Sequence, residues 1–129
     1  DMLDFVQVVS DYVGRLTGLD EDQLYEVSVA VRESVVNAIK HGNQNDQSKR
    51  VIVEFSTVPA DQMVVRVEDQ GQGFDPDAIA DPLAPENIMK GSGRGILFMR
   101  NYMDDVTLSR ASEGGMAVRM EKKAPRAES

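Results

Sequence analysis

The sequence predicts an α/β (α+β) fold, a two-layer sandwich in which helices cover one face of a mixed, largely antiparallel sheet. Residues 2–41 carry apolar side chains at helical spacing, whereas residues 51–69 alternate between apolar and polar as strands do. A second alternating pair of segments over residues 106–122 predicts a closing hairpin. The predicted order is α-α-β-β-loop-α-β-β, without an internal repeat.

Two helices open the chain. The first spans residues 2–17 as an amphipathic helix and ends at Gly18. Asp20, followed by Gln23, forms a capping-box pattern, so a second helix should run from about residue 21 to residue 41. The apolar residues of the first helix are Phe5, Val9, Tyr12 and Leu16, with Val6 and Val13 alongside. The residues of the second helix predicted to face inward are Leu24, Val27, Val31, Ser34, Val35 and Ala38, and Gly42 is its predicted stop.

The strand pattern places an aspartate among core residues. In the strand predicted over residues 63–69, side chains two apart share a face, so Asp69 points the same way as Val65 and Val67. Val51, Val53 and Phe55 share a face of the preceding strand in the same way. Asp69 therefore ends a core-facing row, on the side of the sheet that the helices should cover.

The remaining segments complete a single domain over residues 1–123. Residues 43–49 read as a polar loop, residues 76–90 as a proline-containing mobile loop, and residues 124–129 as a disordered tail. A helix is predicted over residues 96–103, and four methionines are predicted to lie in the core: Met99, Met103, Met116 and Met120. The closing hairpin turns around Glu113-Gly114-Gly115.

Composition excludes several classes of function. The chain has 129 residues and a net charge of −8, which argues against a nucleic-acid-binding surface. It lacks cysteine, as suits a reducing compartment, and carries neither a membrane-length apolar run nor a signal peptide. We therefore expect a cytoplasmic protein with no membrane contact. The chain starts at Asp1 without an initiator Met, as expected of a piece of something longer.

Three features carry possible chemistry, and the first is a polar row on the second helix. Glu33, Asn37 and His41 are spaced four apart, so they should lie one above the other beside an apolar helix face. Such a row either lies in water or lines a pocket. His41, the only histidine, also suits the exposed carbonyl groups of a helix end, which is the structural explanation of its position.

The second and third features are glycine-rich. In D-Q-G-Q-G, Asp69 offers a carboxylate acceptor to an exocyclic amine such as that of adenine, while Gly71 and Gly73 let a flat ligand approach the backbone. The sequence G-S-G-R-G precedes a helix and predicts a phosphate cradle of backbone N–H groups. Its members are Gly91, Ser92, Gly93, Arg94 and Gly95. Each feature alone is more often a turn or a helix entry, but the three in this order favour one nucleotide site.

These motifs carry a resemblance to a known family. The chain resembles the GHKL (histidine kinase-like) ATPase superfamily, and within it the anti-sigma factor serine-protein kinases of the RsbW and SpoIIAB type. E-S-V-V-N-A-I-K-H-G matches the family's N-box, D-Q-G-Q-G-F its adenine box and G-S-G-R-G-I-L-F-M its glycine box. The resemblance covers about residues 3–122. It implies a Bergerat-type ATP-binding fold and an ATP-dependent serine/threonine-protein kinase.

The resemblance also implies roles for single residues. Asn37 would bind Mg²⁺ that bridges the ATP phosphates, and Glu33 would act as general base or orient the attacking hydroxyl. Asp69 would accept from the adenine amine. The glycine box, with Ser92 or Arg94 assisting, would wrap the phosphates, and His41 joins the residues expected to bind the nucleotide. The implied partners are a sigma factor, an anti-anti-sigma (STAS-type) protein that is phosphorylated, and a second copy of the chain in a homodimer.

Two alternatives remain open from the sequence. The chain could be a nucleotide-binding regulatory module that holds a partner without phosphorylating it, or the detached catalytic domain of a histidine kinase. The intact Glu33 favours a kinase over the regulatory module. One departure concerns the last hairpin, where the family often has a Thr near the adenine and this chain has Met116.

Overall fold

The computed structural model describes residues 2–58, 61–71, 99–111 and 114–125. Two α-helices, α1 (Met2–Thr17) and α2 (Glu21–Asn37), lead into a π-helical turn, Ala38–Gly42. The strands are β1 (Ile52–Val58), β2 (Gln62–Glu68), β3 (Asp105–Arg110) and β4 (Met116–Lys123). Residues 99–102 are helical and lead into β3. The predicted glycine-rich and proline-rich segments between residues 72 and 98 lie outside the described residues.

Local chemistry explains where the two helices meet. Gly18 has φ +95°, which glycine adopts without a steric penalty, and its N–H donates to the carbonyl groups of Gly14 and Arg15. Asp20 accepts from the Gln23 N–H at 2.8 Å, and the Gln23 side chain accepts from the Asp20 N–H at 3.1 Å. The predicted capping box is therefore present, and α2 begins where the sequence indicated.

The sheet has the strand order β1-β2-β4-β3, and each pair of neighbouring strands is antiparallel. Val65 pairs with Met120 and Val67 with Val118, so these side chains share one face with Met63. All five are buried in one core cluster with the inward residues of α2. This arrangement confirms the predicted layer of helices on one face of a largely antiparallel sheet.

The inward face of α2 was predicted correctly, because all six predicted residues, Leu24, Val27, Val31, Ser34, Val35 and Ala38, are buried. The helical segment also ends at Gly42 as predicted, but its last turn is not α-helical. The α-helix stops at Asn37 and a π-helical turn continues to Gly42, where the Asn43 N–H donates to the Ala38 carbonyl at 2.8 Å. The π-helical turn breaks the α-helical spacing after Asn37.

The apolar stripe of α1 is not the buried face of that helix. Phe5, Tyr12 and Leu16 are 68%, 65% and 66% exposed, whereas the small residues Ser10 and Gly14 are buried. A Cβ at Gly14 would overlap the Leu24 side chain, so the absence of a side chain there lets α1 approach α2 closely. Close approach through small residues turns the larger apolar side chains outward.

Within the described segments, no helix is long and apolar enough to cross a membrane.

Candidate nucleotide site

Asp69 lies at the end of β2, buried in the row that the sequence predicted, with 3% of its surface exposed. Its Oδ1 accepts hydrogen bonds from the Gly71 N–H at 3.0 Å and the Met116 N–H at 3.1 Å. Its own N–H donates to the Met116 carbonyl at 3.0 Å, which continues the β2–β4 ladder by one residue. These bonds fix the carboxylate, and the described residues give Oδ2 no donor, so Oδ2 can accept from a ligand.

Three glycines from separate segments crowd around Asp69. A Cβ at Gly42 would overlap the Asp69 carboxylate, and a Cβ at Gly115 would overlap the Asp69 backbone carbonyl. A Cβ at Gly71 would overlap the Gly42 carbonyl. None of the three has a positive φ, so glycine is required here by the close approach of backbone segments rather than by turn geometry. The π-helical turn, the end of β2 and the start of β4 meet at this point.

A set of hydrogen bonds, here called the latch, connects the loop over residues 43–50 to the residue that follows Asp69. Asn43 is 3% exposed, and its Nδ2 donates to the Arg50 carbonyl at 3.0 Å while its Oδ1 accepts from the Gln70 N–H at 2.8 Å. The Gln70 side chain accepts from the Arg50 N–H at 2.8 Å. The latch, formed by Asn43, Arg50 and Gln70, joins the end of α2's extension to the residue that follows Asp69.

The predicted polar row is interrupted by the π-helical turn. Glu33 and Asn37 both lie on α2 and are half-buried, whereas His41 lies within the turn and is exposed. The structure therefore keeps Glu33 and Asn37 in one helical row, one turn apart, and does not extend that row to His41. Asn37 lies five residues before Gly42, which contacts Asp69, so the helix carries this row toward the buried carboxylate.

The remaining predicted residues of the site cannot be placed. Gly73 and the glycine box, made up of Gly91, Ser92, Gly93, Arg94 and Gly95, lie outside the described residues. The described part of the helix predicted over residues 96–103 begins at Met99, which is buried in the core. Met116, noted as a departure from the family, is half-buried and reaches Asp69 through its backbone N–H and carbonyl.

Sequence reasoning missed Gly42, Gly115 and Asn43 as parts of the site. Gly42 was assigned only as a helix stop and Gly115 as part of a hairpin turn. Both assignments are correct locally, but the contact of each glycine with Asp69 depends on long-range packing, which leaves no local signal. Asn43 follows a glycine at a helix end, a position where a polar residue looks like an ordinary part of a loop.

The described residues fit a nucleotide better than a protein-only metal site. No three His, Cys, Asp or Glu side chains within them lie close enough to hold a metal ion. Mg²⁺ commonly takes one or two protein oxygen ligands and completes its shell with phosphate oxygens and water. The half-buried Asn37 amide can supply one such ligand, and the fixed Asp69 carboxylate can accept from an adenine amine.

Comparison with known proteins agrees with this geometry. A family model described as a histidine kinase-like ATPase domain matches residues 3–122. The chain is 34% identical over 119 residues to the anti-sigma F factor of Clostridium perfringens. This alignment covers 89% of this chain and 82% of that protein. The chain is also 27% identical over 111 residues to the serine-protein kinase RsbW of Staphylococcus aureus. That alignment covers 81% of this chain and 69% of the relative.

A solved structure shows the same fold. The histidine kinase domain of a blue-light activated histidine kinase from Erythrobacter litoralis EL346 is similar, with a TM-score of 0.60 and 16% identity. The match covers 94% of this chain, which spans 60% of that solved chain. Taken with the buried Asp69 and its three glycines, the family match over residues 3–122 shows that this chain belongs to the histidine kinase-like ATPase domain family.

Proposed function

We propose that this protein is an ATP-dependent serine/threonine-protein kinase that acts as an anti-sigma factor. The observation that carries the proposal is the Asp69 carboxylate, buried, held by two backbone N–H groups and enclosed by three glycines. Relatives named anti-sigma F factor and serine-protein kinase RsbW support the same activity. Its substrate would be an anti-anti-sigma (STAS-type) protein. Because sigma factors work on RNA polymerase, we place the protein in the cytoplasm.

Asp69 would recognise the base in this proposal. Oδ1 already accepts from two backbone N–H groups, so Oδ2 is the acceptor that remains for the adenine amine. A carboxylate in this position rejects a purine that carries a carbonyl oxygen instead of an amine, because two acceptors would face each other. Gly71 and Gly115 would let the backbone around Asp69 pack closely, because a Cβ at Gly71 would overlap the Gly42 carbonyl and a Cβ at Gly115 would overlap the Asp69 carbonyl.

Glu33 and Asn37 would act at the phosphate end. Bound ATP supplies the phosphoryl group, and the protein contributes positioning and charge neutralisation more than covalent chemistry. Asn37 would hold Mg²⁺ through its side-chain carbonyl. Glu33, one turn away on α2, would take the proton of the substrate hydroxyl as that oxygen bonds to phosphorus and the bond to ADP breaks. The glycine box from Gly91 to Gly95 would supply backbone N–H groups to the phosphates, with Ser92, Arg94 and His41 as further candidates.

Phosphoryl transfer tests the proposal directly. The purified protein is incubated with ATP labelled on the γ-phosphate and with STAS-domain proteins from its source genome. We expect one of them to be labelled on an acid-stable serine or threonine. Glu33→Gln should lower the rate of transfer by about 100-fold or more while keeping ATP binding, since general-base catalysis contributes about 10²–10⁴-fold. Glu21→Gln, at an exposed position of the same helix, is the matched control.

Other outcomes separate the alternatives. An acid-labile product would indicate transfer to histidine, and the chain would then be the catalytic part of a histidine kinase. ATP binding without transfer to any STAS protein would leave a nucleotide-binding regulatory module. If the wild type does not bind ATP at millimolar concentration, the proposed site is wrong as well as the proposed activity.

A further inference from the structure

The hydrogen-bonded ladder between β1 and β2 stops just before the candidate site. Its register pairs Ile52 with Glu68 and, continued by one more hydrogen-bonded pair, would join Arg50 to Gln70. The Asp69 N–H donates to a carbonyl of β4 at 3.0 Å, and successive N–H groups along a strand point to opposite sides. The Gln70 N–H therefore points toward β1, where the Arg50 carbonyl would be its partner in a continued ladder.

The side-chain amide of Asn43 takes the place of that ladder bond. Its Oδ1 accepts from the Gln70 N–H at 2.8 Å, and its Nδ2 donates to the Arg50 carbonyl at 3.0 Å. The Arg50 N–H donates in turn to the Gln70 side-chain oxygen at 2.8 Å. An inserted amide keeps the two backbones farther apart than a direct N–H···O=C bond of about 2.9 Å would. The end of β2 is therefore held away from β1 at the residue that follows Asp69.

Asn43 is also fixed on the other side of Asp69, through its backbone. It directly follows Gly42, where a Cβ would overlap the Asp69 carboxylate. The Asn43 N–H donates to the Ala38 carbonyl at 2.8 Å, which closes the π-helical turn. The backbone of Asn43 thus holds the turn that lies against the Asp69 carboxylate, while its side chain holds Gln70, the next residue after Asp69.

The loop over residues 43–50 has hydrogen bonds of its own that do not involve the Asn43 side chain. Asp46 Oδ1 accepts from the Ser48 N–H at 2.9 Å and from the Ser48 Oγ at 2.6 Å, and the Asp46 carbonyl accepts from the Lys49 N–H at 3.1 Å. Loss of the buried Asn43 amide would therefore act mainly on Gln70. Its N–H would either lose its partner or move to the Arg50 carbonyl, which would draw the end of β2 toward β1.

We propose that Asn43 is a positioning residue for base recognition. Its side-chain amide, inserted between the residue before β1 and the residue after Asp69, sets the direction of the Asp69 carboxylate and thereby the preference for a base that carries an exocyclic amine. Asn43 acts through Asp69 and does not itself touch the nucleotide. The inference rests on the proposed function, because it assigns a specificity-determining residue to the same nucleotide site.

Calorimetric titration of the whole chain with ATP and with inosine triphosphate, both in Mg²⁺, tests this role. Inosine triphosphate carries a carbonyl oxygen in place of the adenine amine. We expect Asn43→Ala to lose about tenfold in affinity for ATP but less than about twofold for inosine triphosphate, because only the amine depends on the direction of Asp69. Gln47→Ala, at an exposed position of the same loop, is the matched control and should keep both wild-type affinities.

The ratio of the two affinities separates positioning from a general structural loss. If Asn43→Ala weakens both nucleotides equally, or keeps the wild-type preference for ATP, the role of Asn43 is wrong while the nucleotide site stands. A wild type that binds neither nucleotide would overturn the proposed function, and one that binds both equally would overturn base recognition by Asp69. Either result would remove the basis of this inference as well.

Amide hydrogen exchange of the wild type tests the same role without a substitution, and it decides the matter if Asn43→Ala does not fold. If the latch orients Asp69 toward the amine, binding of the amine must stabilise the latch in return, because coupling between two sites is reciprocal. At matched occupancy we expect the Gln70 N–H to exchange at least about fivefold more slowly with ATP than with inosine triphosphate. The Ser48 N–H, which is bonded within the loop, should exchange equally with both. Equal protection of the Gln70 N–H by the two nucleotides would overturn the proposal.

Discussion

Ser34 is a buried polar residue of α2 whose hydroxyl lacks a hydrogen-bond partner among the described residues. It is 2% exposed on the inward face of α2, and its Oγ has no hydrogen-bond partner in the described part of the chain. A buried hydroxyl without a partner costs about 1–3 kcal/mol. Ser34 directly follows Glu33, in the helix that carries the proposed catalytic row.

We therefore expect Ser34→Ala to stabilise the protein by about 1 kcal/mol, because the mutation removes an unpaired buried polar group and adds a better helix former. Chemical denaturation followed by circular dichroism measures the change. Ser28→Ala is the matched control, since its Oγ donates to the Tyr25 carbonyl at 2.7 Å, so the mutation sets the loss of a hydrogen bond against the same gain in helix propensity. Equal stabilisation by the two mutations would show that the Ser34 hydroxyl is satisfied.

Gly42 tests the crowding around Asp69. A Cβ at this position would overlap the Asp69 carboxylate, so Gly42→Ala should displace the carboxylate or the π-helical turn. We expect at least a tenfold loss of ATP affinity, measured by calorimetry, together with a lower melting temperature. Lys40→Ala, two residues earlier and exposed, should change neither quantity. Unchanged ATP affinity in Gly42→Ala would show that the close approach is not required for binding.

At the scale of elements, β4 carries an unusual buried charge. Lys122 pairs with Met63 across the sheet and points into the core with an 8% exposed side chain. Its Nζ donates to the Tyr102 carbonyl at 2.5 Å and lies 3.7 Å from a Glu26 carboxylate oxygen on α2. This contact ties the end of the helix at residues 99–102 to both the sheet and α2, at the end of the sheet opposite Asp69.

Removing the contacts that Lys122 makes with Tyr102 and Glu26 should destabilise the domain. We expect Lys122→Met to lower the free energy of unfolding by about 1–3 kcal/mol, because the Tyr102 carbonyl and Glu26 lose their partner while the side-chain volume is kept. Thermal or urea unfolding measures the change. Lys123→Met is the natural control, since the next side chain points to the opposite, exposed face of β4. A loss of similar size in both variants would show that the buried contact contributes nothing specific.

The elements also show what the sequence could predict. The inward rows of α2 and β2, including Asp69, followed from periodicity, because one face of each element packs against one core. The orientation of α1 did not follow, because its buried residues Ser10, Gly14 and Thr17 are small or polar, and the close approach of Gly14 to Leu24 depends on tertiary packing. The π-helical turn was missed because nothing in A-I-K-H-G separates it from an α-helix.

At the scale of the whole molecule, the candidate site is assembled from distant parts of the chain. Asp69 was predicted as an adenine acceptor from its position in D-Q-G-Q-G, and the structure buries it where a helix end and two strands meet. The convergence of Gly42, Gly71 and Gly115 depends on the order β1-β2-β4-β3, which brings the start of β4 beside the end of β2. Local patterns do not contain that order.

The central claim is that the Asp69 carboxylate recognises ATP by accepting a hydrogen bond from the adenine amine. Asp69→Asn tests it with little risk to the fold, because the Asn Oδ1 can keep accepting from the Gly71 and Met116 N–H groups. The substitution replaces the remaining acceptor, Oδ2, with an amino group that donates. Inosine triphosphate, which carries a carbonyl oxygen in place of the adenine amine, is the comparison ligand.

The most direct measurement is calorimetric titration of the wild type and Asp69→Asn with ATP and with inosine triphosphate, both in Mg²⁺. We predict that the wild type prefers ATP at least tenfold, about 1.4 kcal/mol, and that Asp69→Asn loses this preference. A wild type that binds both nucleotides equally, or an Asp69→Asn variant that keeps the full preference for ATP, would contradict the assignment of Asp69 as the residue that recognises adenine.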